Sequence, residues 1–222
     1  MGGDRVTSGV TPEPDAVPVS ARSASVERPA QGPGEDGILR AAIAVMAENG
    51  YHGTSVRDIA VRAGLSPGAL YYHFESKQAL LATIMERGIE ELLRRTRAAL
   101  AEAGDDPAAA LRAIVRTHVL FHLEDQRGTM LGTSELRALE EPVRTRHLDK
   151  RHQQQRLFDD VVVEGTERGA FGTPLPLEAS RAIVVMCTGV AGWFSPDGPL
   201  SRDEIASRYE RLALDMVCAG RS

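Results

Sequence analysis

Residues 54–74, Thr-Ser-Val-Arg-Asp-Ile-Ala-Val-Arg-Ala-Gly-Leu-Ser-Pro-Gly-Ala-Leu-Tyr-Tyr-His-Phe, decide the fold. Thr54 or Ser55 caps a short helix whose inward positions are Val56, Ile59, Ala60 and Ala63. Gly64 ends that helix and supplies a sharp turn, and Leu65 plugs the turn from beneath. Ser66 caps the next helix, with Pro67 in its first turn, where a missing N–H costs nothing. This second helix, about Pro67 to Tyr72, is too short to serve as a core element. Two short helices joined by Ala63-Gly64-Leu65-Ser66 form a helix-turn-helix. Its second helix carries Ser66, Gly68, Ala69, Tyr71, Tyr72 and His73. The small residues permit close approach to a groove, and the Tyr and His groups suit phosphate oxygens. Lys77 opens the following helix, where an ammonium and a helix N-terminus would act together on one phosphate.

The pattern outward from this stretch is helical almost throughout. Upstream, Leu39, Ala42, Ile43, Met46 and Ala47 trace one face of a helix that begins at Glu35 and stops at Gly50. Downstream, Ser76 caps a long fourth helix with Leu80, Leu81, Ile84, Met85, Gly88 and Leu92 on its inner side. A fifth helix spans about Pro107 to Glu124. A weaker sixth covers about Gly132 to Leu139, and a seventh runs from Glu141-Pro142 to about Gly169. Two more cover about Leu177 to Phe194 and about Ser201 to Ala219. Ala182, Val185, Met186, Gly189 and Trp193 line one side of the eighth, and Ile205, Tyr209, Leu212 and Met216 one side of the ninth. No window alternates with period two, so the expected fold is all-α, a three-helix head followed by a helical bundle.

The chain has 222 residues, 42% of them hydrophobic and 26% charged, enough for one large domain or two small ones. No apolar run reaches the length of a membrane-spanning helix, and the start lacks a secretory pattern, so a cytoplasmic protein is expected. Two cysteines, Cys187 and Cys218, cannot build a disulfide framework. The net charge of −5 leaves DNA binding open, because only the contacting face needs positive potential. Within the head, Arg40, Arg57, Arg62 and Lys77 balance Asp36, Glu48, Asp58 and Glu75, so operator affinity would need two heads. Residues 1–34, rich in Pro, Gly, Ser, Ala and Val, are read as a disordered tail. Residues 35–81 are read as the helix-turn-helix head, and 82–222 as a second, helical domain.

Enzyme motifs match by chance. Residues 32–37 fit G-x-G-x-x-G without the strand that a dinucleotide site needs. Residues 64–68 fit G-x-S-x-G, but a helix leads in and Ser66 is a cap. His118 and His122 have metal-compatible spacing, yet no third ligand is fixed, so neither metal nor cofactor is expected.

The run from Thr54 to Ala60, then Ala63 to Phe74, Lys77 and Leu80, resembles the TetR family of transcriptional repressors over about 45 residues. The resemblance implies nine helices, the last two building a four-helix bundle between two protomers through the apolar faces just named. It places Ser55 and Arg57 against backbone or groove, and Ser66, Pro67, Gly68 and Ala69 in the major groove. It gives Tyr71, Tyr72, His73 and Lys77 to phosphates and Phe74 to the core. Arg57 is the side chain best able to read a guanine edge. Residues 193–201, Trp-Phe-Ser-Pro-Asp-Gly-Pro-Leu-Ser, resemble a turn in the branch that governs lipid, fatty-acid and steroid catabolism. An acyl-CoA or other lipid-like effector follows from that likeness. Arg116, His118, Phe121, His122, Met130, Leu136, Phe158, Met186 and Trp193 are the candidate effector contacts. The expected function is a homodimeric repressor released from a palindromic operator by a small apolar effector. The alternatives are a small-molecule enzyme on a helical bundle, or a DNA-binding activator without an effector.

Overall fold

The computed structural model describes residues 1–3 and 34–219, so nearly all of the expected N-terminal tail lies outside the described residues. Among these, nine α-helices and no strand occur. The first is α1 (Glu35–Gly53), and it does not simply stop at Gly50. Gly50 takes φ 71° and kinks the chain, and one more turn then carries Tyr51 into the core. Helix α2 (Val56–Ala63) begins with a complete capping box. Ser55 Oγ accepts from the Asp58 N–H, and the Asp58 carboxylate accepts from the Ser55 N–H at 2.9 Å. Gly64 closes α2 in the left-handed region, φ 69°. Helix α3 (Pro67–His73) starts at the Ser66 cap, and α4 (Lys77–Ala103) at the Ser76 cap.

Asp106 caps α5 (Pro107–Glu124). The expected sixth helix is displaced: α6 runs Gln126–Ser134, and only a 3-10 turn covers Leu136–Ala138. Asp125 explains the shift, since its carboxylate accepts from the Gly128 N–H and starts the helix before the two glycines that weaken its pattern. Helix α7 spans Val143–Glu167, α8 spans Pro176–Gly189, and α9 spans Arg202–Met216. The Ser201–Glu204 capping box begins α9, so Ser201 does cap the last helix.

Two main cores hold these helices. The bundle core gathers Leu111, Ile114 and Val119 of α5 with Phe158, Val162, Ile183, Cys187, Ile205 and Ala206. Ile205 is therefore an interior residue, 2% exposed, and not part of the outer face assigned to α9. The head core joins Ile38, Met46, Ile59, Leu70, Phe74 and Leu80. It also takes Leu131 of α6 and Leu139, so part of the bundle completes the head's interior. Cys187 and Cys218 carry free thiols, and burial pushes Cys187 up to about 12.

Candidate functional site

Three features bear on function: the outer face of α3, a cavity, and an exposed apolar face on α8 and α9. On α3 the Ser66 Oγ accepts from the Ala69 N–H at 3.2 Å, which orders the first turn and leaves Ser66, Pro67 and Gly68 exposed. Leu70 is sealed in the head core, anchoring the helix. Tyr72 is 88% exposed and Tyr71 52%, so Tyr71 is not a core residue. His73 and Arg57 are exposed as well, and Ala69 is half-buried. Such large exposed aromatic surface on an ordered, anchored helix is what a docking surface presents.

Two expected DNA contacts are otherwise employed. The Ser55 hydroxyl donates to Asp58 at 2.6 Å inside the capping box. These Ser55 hydrogen bonds also hold the Asp58 carboxyl below its usual range. Lys77 turns its ammonium inward. Its Nζ donates to the carbonyls of Tyr51 and Thr54, both at 2.7 Å, and sits 4.2 Å from the Tyr51 ring centroid. Tyr51 Oη meanwhile donates to Gln78 at 2.7 Å. The residue after the α1 kink is thus tied to the start of α4 at both ends.

The cavity measures about 460 Å³ and lies among α1, α4, α5, α6, α7 and α8. Leu39 and Ile43 of α1, Ile84, Ile89 and Leu92 of α4, and Phe121 of α5 give it apolar walls. Of the expected effector contacts, His118, Phe121 and His122 line it. The others do not. Arg116 is held by Asp203 and by Glu210 at 3.1 Å, pinning α5 to α9. Phe158 is fully buried behind the cavity, edge-on to His118. Leu136 packs on the head core, Met186 on the bundle core, and Met130 and Trp193 face outward.

A polar seam runs through this wall. Thr96 Oγ1 donates to the Leu92 carbonyl at 2.9 Å, and Gln154 Nε2 donates to Thr96 Oγ1 at 2.9 Å. The same amide nitrogen lies 3.4 Å from His118 Nδ1. His118 Nε2 is 2.9 Å from Thr188 Oγ1 and 3.0 Å from His122 Nε2. His122 Nδ1 is 2.9 Å from Thr129 Oγ1. Burial, reinforced by neighbouring His122, drives His118 well below the ordinary imidazole range. Burial and then the Arg151 charge bring His122 to about 4. Burial, with Arg151 and Lys150 adding to it against Glu86, brings His147 to about 4. Among the described residues no three His, Cys, Asp or Glu side chains form a metal-holding group.

Sequence periodicity missed His147, Arg151, Gln154, Thr129 and Thr188, all of which line the cavity. A usable signal existed. His147 and Gln154 are buried at i and i+7 on α7, in line with buried Phe158, so polar groups occupy interior positions there, and exposed Arg151 at i+4 shares their side of the helix.

A third feature lies on α8 and α9. Val185 is 72% exposed, Trp193 56% and Leu212 49%, with exposed Ala182, Gly189 and Met216 alongside. Trp193 stacks on half-buried Tyr209, ring centroids 6.4 Å apart.

Family models match both parts of the chain. Residues 38–84 match bacterial regulatory proteins of the tetR family, and residues 104–217 match the tetracyclin repressor-like C-terminal domain. The chain belongs to the TetR family. It is similar to the transcriptional repressor KstR2 of Rhodococcus jostii, 29% identical over 180 residues, 80% of this chain and 88% of that protein. KstR2 of Mycobacterium tuberculosis is 26% identical in its crystal structure, where it is described as a ketosteroid transcriptional regulator. The TM-score is 0.75 over 81% of this chain and 92% of that one. A tetR-family protein from Rhodococcus RHA1 reaches TM-score 0.76 and 31% identity over 82% and 95% of the two chains. Among the described residues, no helix is long and apolar enough to cross a membrane.

Proposed function

We propose that this TetR-family chain is a homodimeric transcriptional repressor that leaves a palindromic operator when a small apolar effector fills the cavity. One observation carries the reading. The cavity is walled at once by α1 of the head, by α4, which runs from the head into the bundle, and by four further bundle helices, so an occupant touches both the DNA-reading unit and its support. A ligand shifts a two-state balance only by its difference in affinity for the two states. Each tenfold loss of operator affinity requires about 1.4 kcal/mol of that difference. A cavity of this size and largely apolar lining can supply it through burial of a medium-sized ligand. An acyl-CoA or other lipid-like molecule is the effector class we infer. Relatives named as repressors support the sign of regulation.

In this reading, Ser66, Pro67, Gly68 and Ala69 enter the major groove, Arg57 reads a base edge, and Tyr71, Tyr72 and His73 hold phosphates. The exposed stripe of Val185, Trp193, Leu212 and Met216 meets its copy in a second protomer. The head covers residues 35–81, the effector and dimerisation domain residues 82–222, and the protein works in the cytoplasm. Regulation, and not catalysis, is its activity. Selection of sites from a random duplex library at near-physiological salt tests this. Enrichment of a palindrome with half-sites about 34–36 Å apart, or a multiple of that, is expected. No enrichment, with or without extraction of co-purified apolar molecules, would overturn it.

A further inference from the structure

The polar seam fixes its own proton positions, and the result selects a ligand. The Thr96 hydroxyl is spent on the Leu92 carbonyl, so Thr96 can only accept from Gln154. Gln154 must therefore present its NH₂ group there, and the same NH₂ faces His118 Nδ1. Nδ1 is then an acceptor, and the His118 proton sits on Nε2. Nε2–H lies between His122 Nε2 and Thr188 Oγ1. His122 accepts on Nε2, which puts its own proton on Nδ1, and Nδ1–H donates to Thr129 Oγ1. Each threonine oxygen is thus an acceptor within the seam. Among the described residues neither Thr129 nor Thr188 has an acceptor for its own O–H, in contrast to Thr83, Thr96 and Thr166, which donate to carbonyls one turn back. Both residues line the cavity and both are only half-buried.

We propose that the cavity recognises an apolar ligand bearing a neutral carbonyl oxygen, which accepts from the Thr188 and Thr129 hydroxyls. This rests on the effector-pocket reading and narrows it. An uncommitted donor at a half-buried apolar wall gains from an acceptor, and a ligand lacking one leaves that donor unpaired. The imidazoles of the seam remain neutral near pH 7, so its donors to a ligand are uncharged hydroxyls that match a ketone or ester oxygen; the Arg151 cation also lines the cavity, but it is exposed to solvent. The walls of Leu39, Ile43, Ile84 and Leu92 receive the hydrocarbon part.

Butyrophenone and butylbenzene share a carbon skeleton and differ in one carbonyl. Calorimetric titration of the full-length protein, without DNA, measures both. Thr188→Val, Thr129→Val should weaken butyrophenone about tenfold and leave butylbenzene unchanged. Thr188→Ser, Thr129→Ser should keep the parent's affinity for both. Thr188→Val alone leaves His118 its His122 acceptor, so it tests the idea should the double variant fold poorly, with about a threefold loss for the ketone only. Equal loss for both probes, or none for the ketone, overturns the carbonyl assignment while leaving an effector cavity in place. Failure of the parent to bind either probe overturns the cavity reading itself.

Discussion

Lys77 offers the sharpest test of the head. A lysine at the first turn of a helix beside the reading element has the look of a phosphate clamp. The structure gives its ammonium two carbonyls at 2.7 Å and an aromatic face at 4.2 Å. Substitution by Met keeps the stem and removes the donors. Hydrogen bonds involving a charged group contribute about 1.5–3 kcal/mol each. The Tyr51 carbonyl still accepts from the Thr54 N–H at 3.3 Å, so its loss is partial. Half-burial of Lys77 trims the figure further. Lys77→Met should therefore cost about 2–3 kcal/mol, and urea unfolding followed by helical circular dichroism reads it as a lower midpoint at unchanged slope. Operator affinity should fall evenly at all salt concentrations. A phosphate clamp behaves differently: each lost phosphate contact lowers the salt slope by about 0.9, hence about 1.8 for a dimer. Unchanged stability together with a slope reduced by about that amount would refute the inward role.

Other outcomes follow from particular contacts. A Cβ on Gly165 would lie 2.2 Å from the buried Phe171 ring, so Gly165→Ala should cost about 1–3 kcal/mol, and adding Phe171→Leu should recover part of it. His122 is held to about 4 by burial and ionises near 6.5 when unfolded, so its contribution is complete above about pH 6.5 and is lost as pH falls towards 4. At pH 5 that loss is about 2 kcal/mol, and His122→Gln should flatten the pH dependence of the urea midpoint between pH 5 and 7.5; an unchanged dependence counts against a neutral buried imidazole. Leu212→Glu places a charge in the exposed apolar stripe of α9 and should yield monomers in sedimentation at micromolar concentration, whereas persistent dimers would move the interface elsewhere. Ser66→Ala removes the α3 cap and should lower head stability by about 1 kcal/mol, read by the same unfolding assay.

The head was legible because its signals are local. Ser55, Gly64, Ser66 and Ser76 each act on residues within a few positions, and each performs its expected capping or turning task. The sixth helix was misplaced because Asp125, at a helix junction, outweighs the glycines that follow it. The cavity was only partly legible. His118, Phe121 and His122 come from one helix and could be paired by spacing. Thr129, Thr188 and Gln154 come from three, and periodicity in one helix carries no information about which residue of another it meets. Arg116 illustrates the converse. It lies on the same helix as the cavity histidines, yet Asp203 and Glu210 of α9 draw it to the other side.

The placement of α6 bears on how a cavity ligand would reach the DNA-reading helices. It gives Leu131 to the head core, which also holds Met46 and Leu81, while Thr129, two residues earlier, lines the cavity. Gln126, at its start, donates to the carbonyls of Ala191 and Phe194 at 3.0 and 2.9 Å and so holds the segment that follows α8. One helix of nine residues thus touches the cavity, the head's interior and the segment that leads into Trp193. A well-packed core has discrete arrangements and resists gradual deformation. A ligand that moves Thr129 must therefore carry Leu131 with it or break its packing. The substitution Leu131→Ala separates coupling from binding. It should loosen the head core by about 2–5 kcal/mol. It should also reduce the effector's influence on operator affinity more than it reduces effector binding to the free protein. Equal reductions would assign the coupling to α1 and α4 instead.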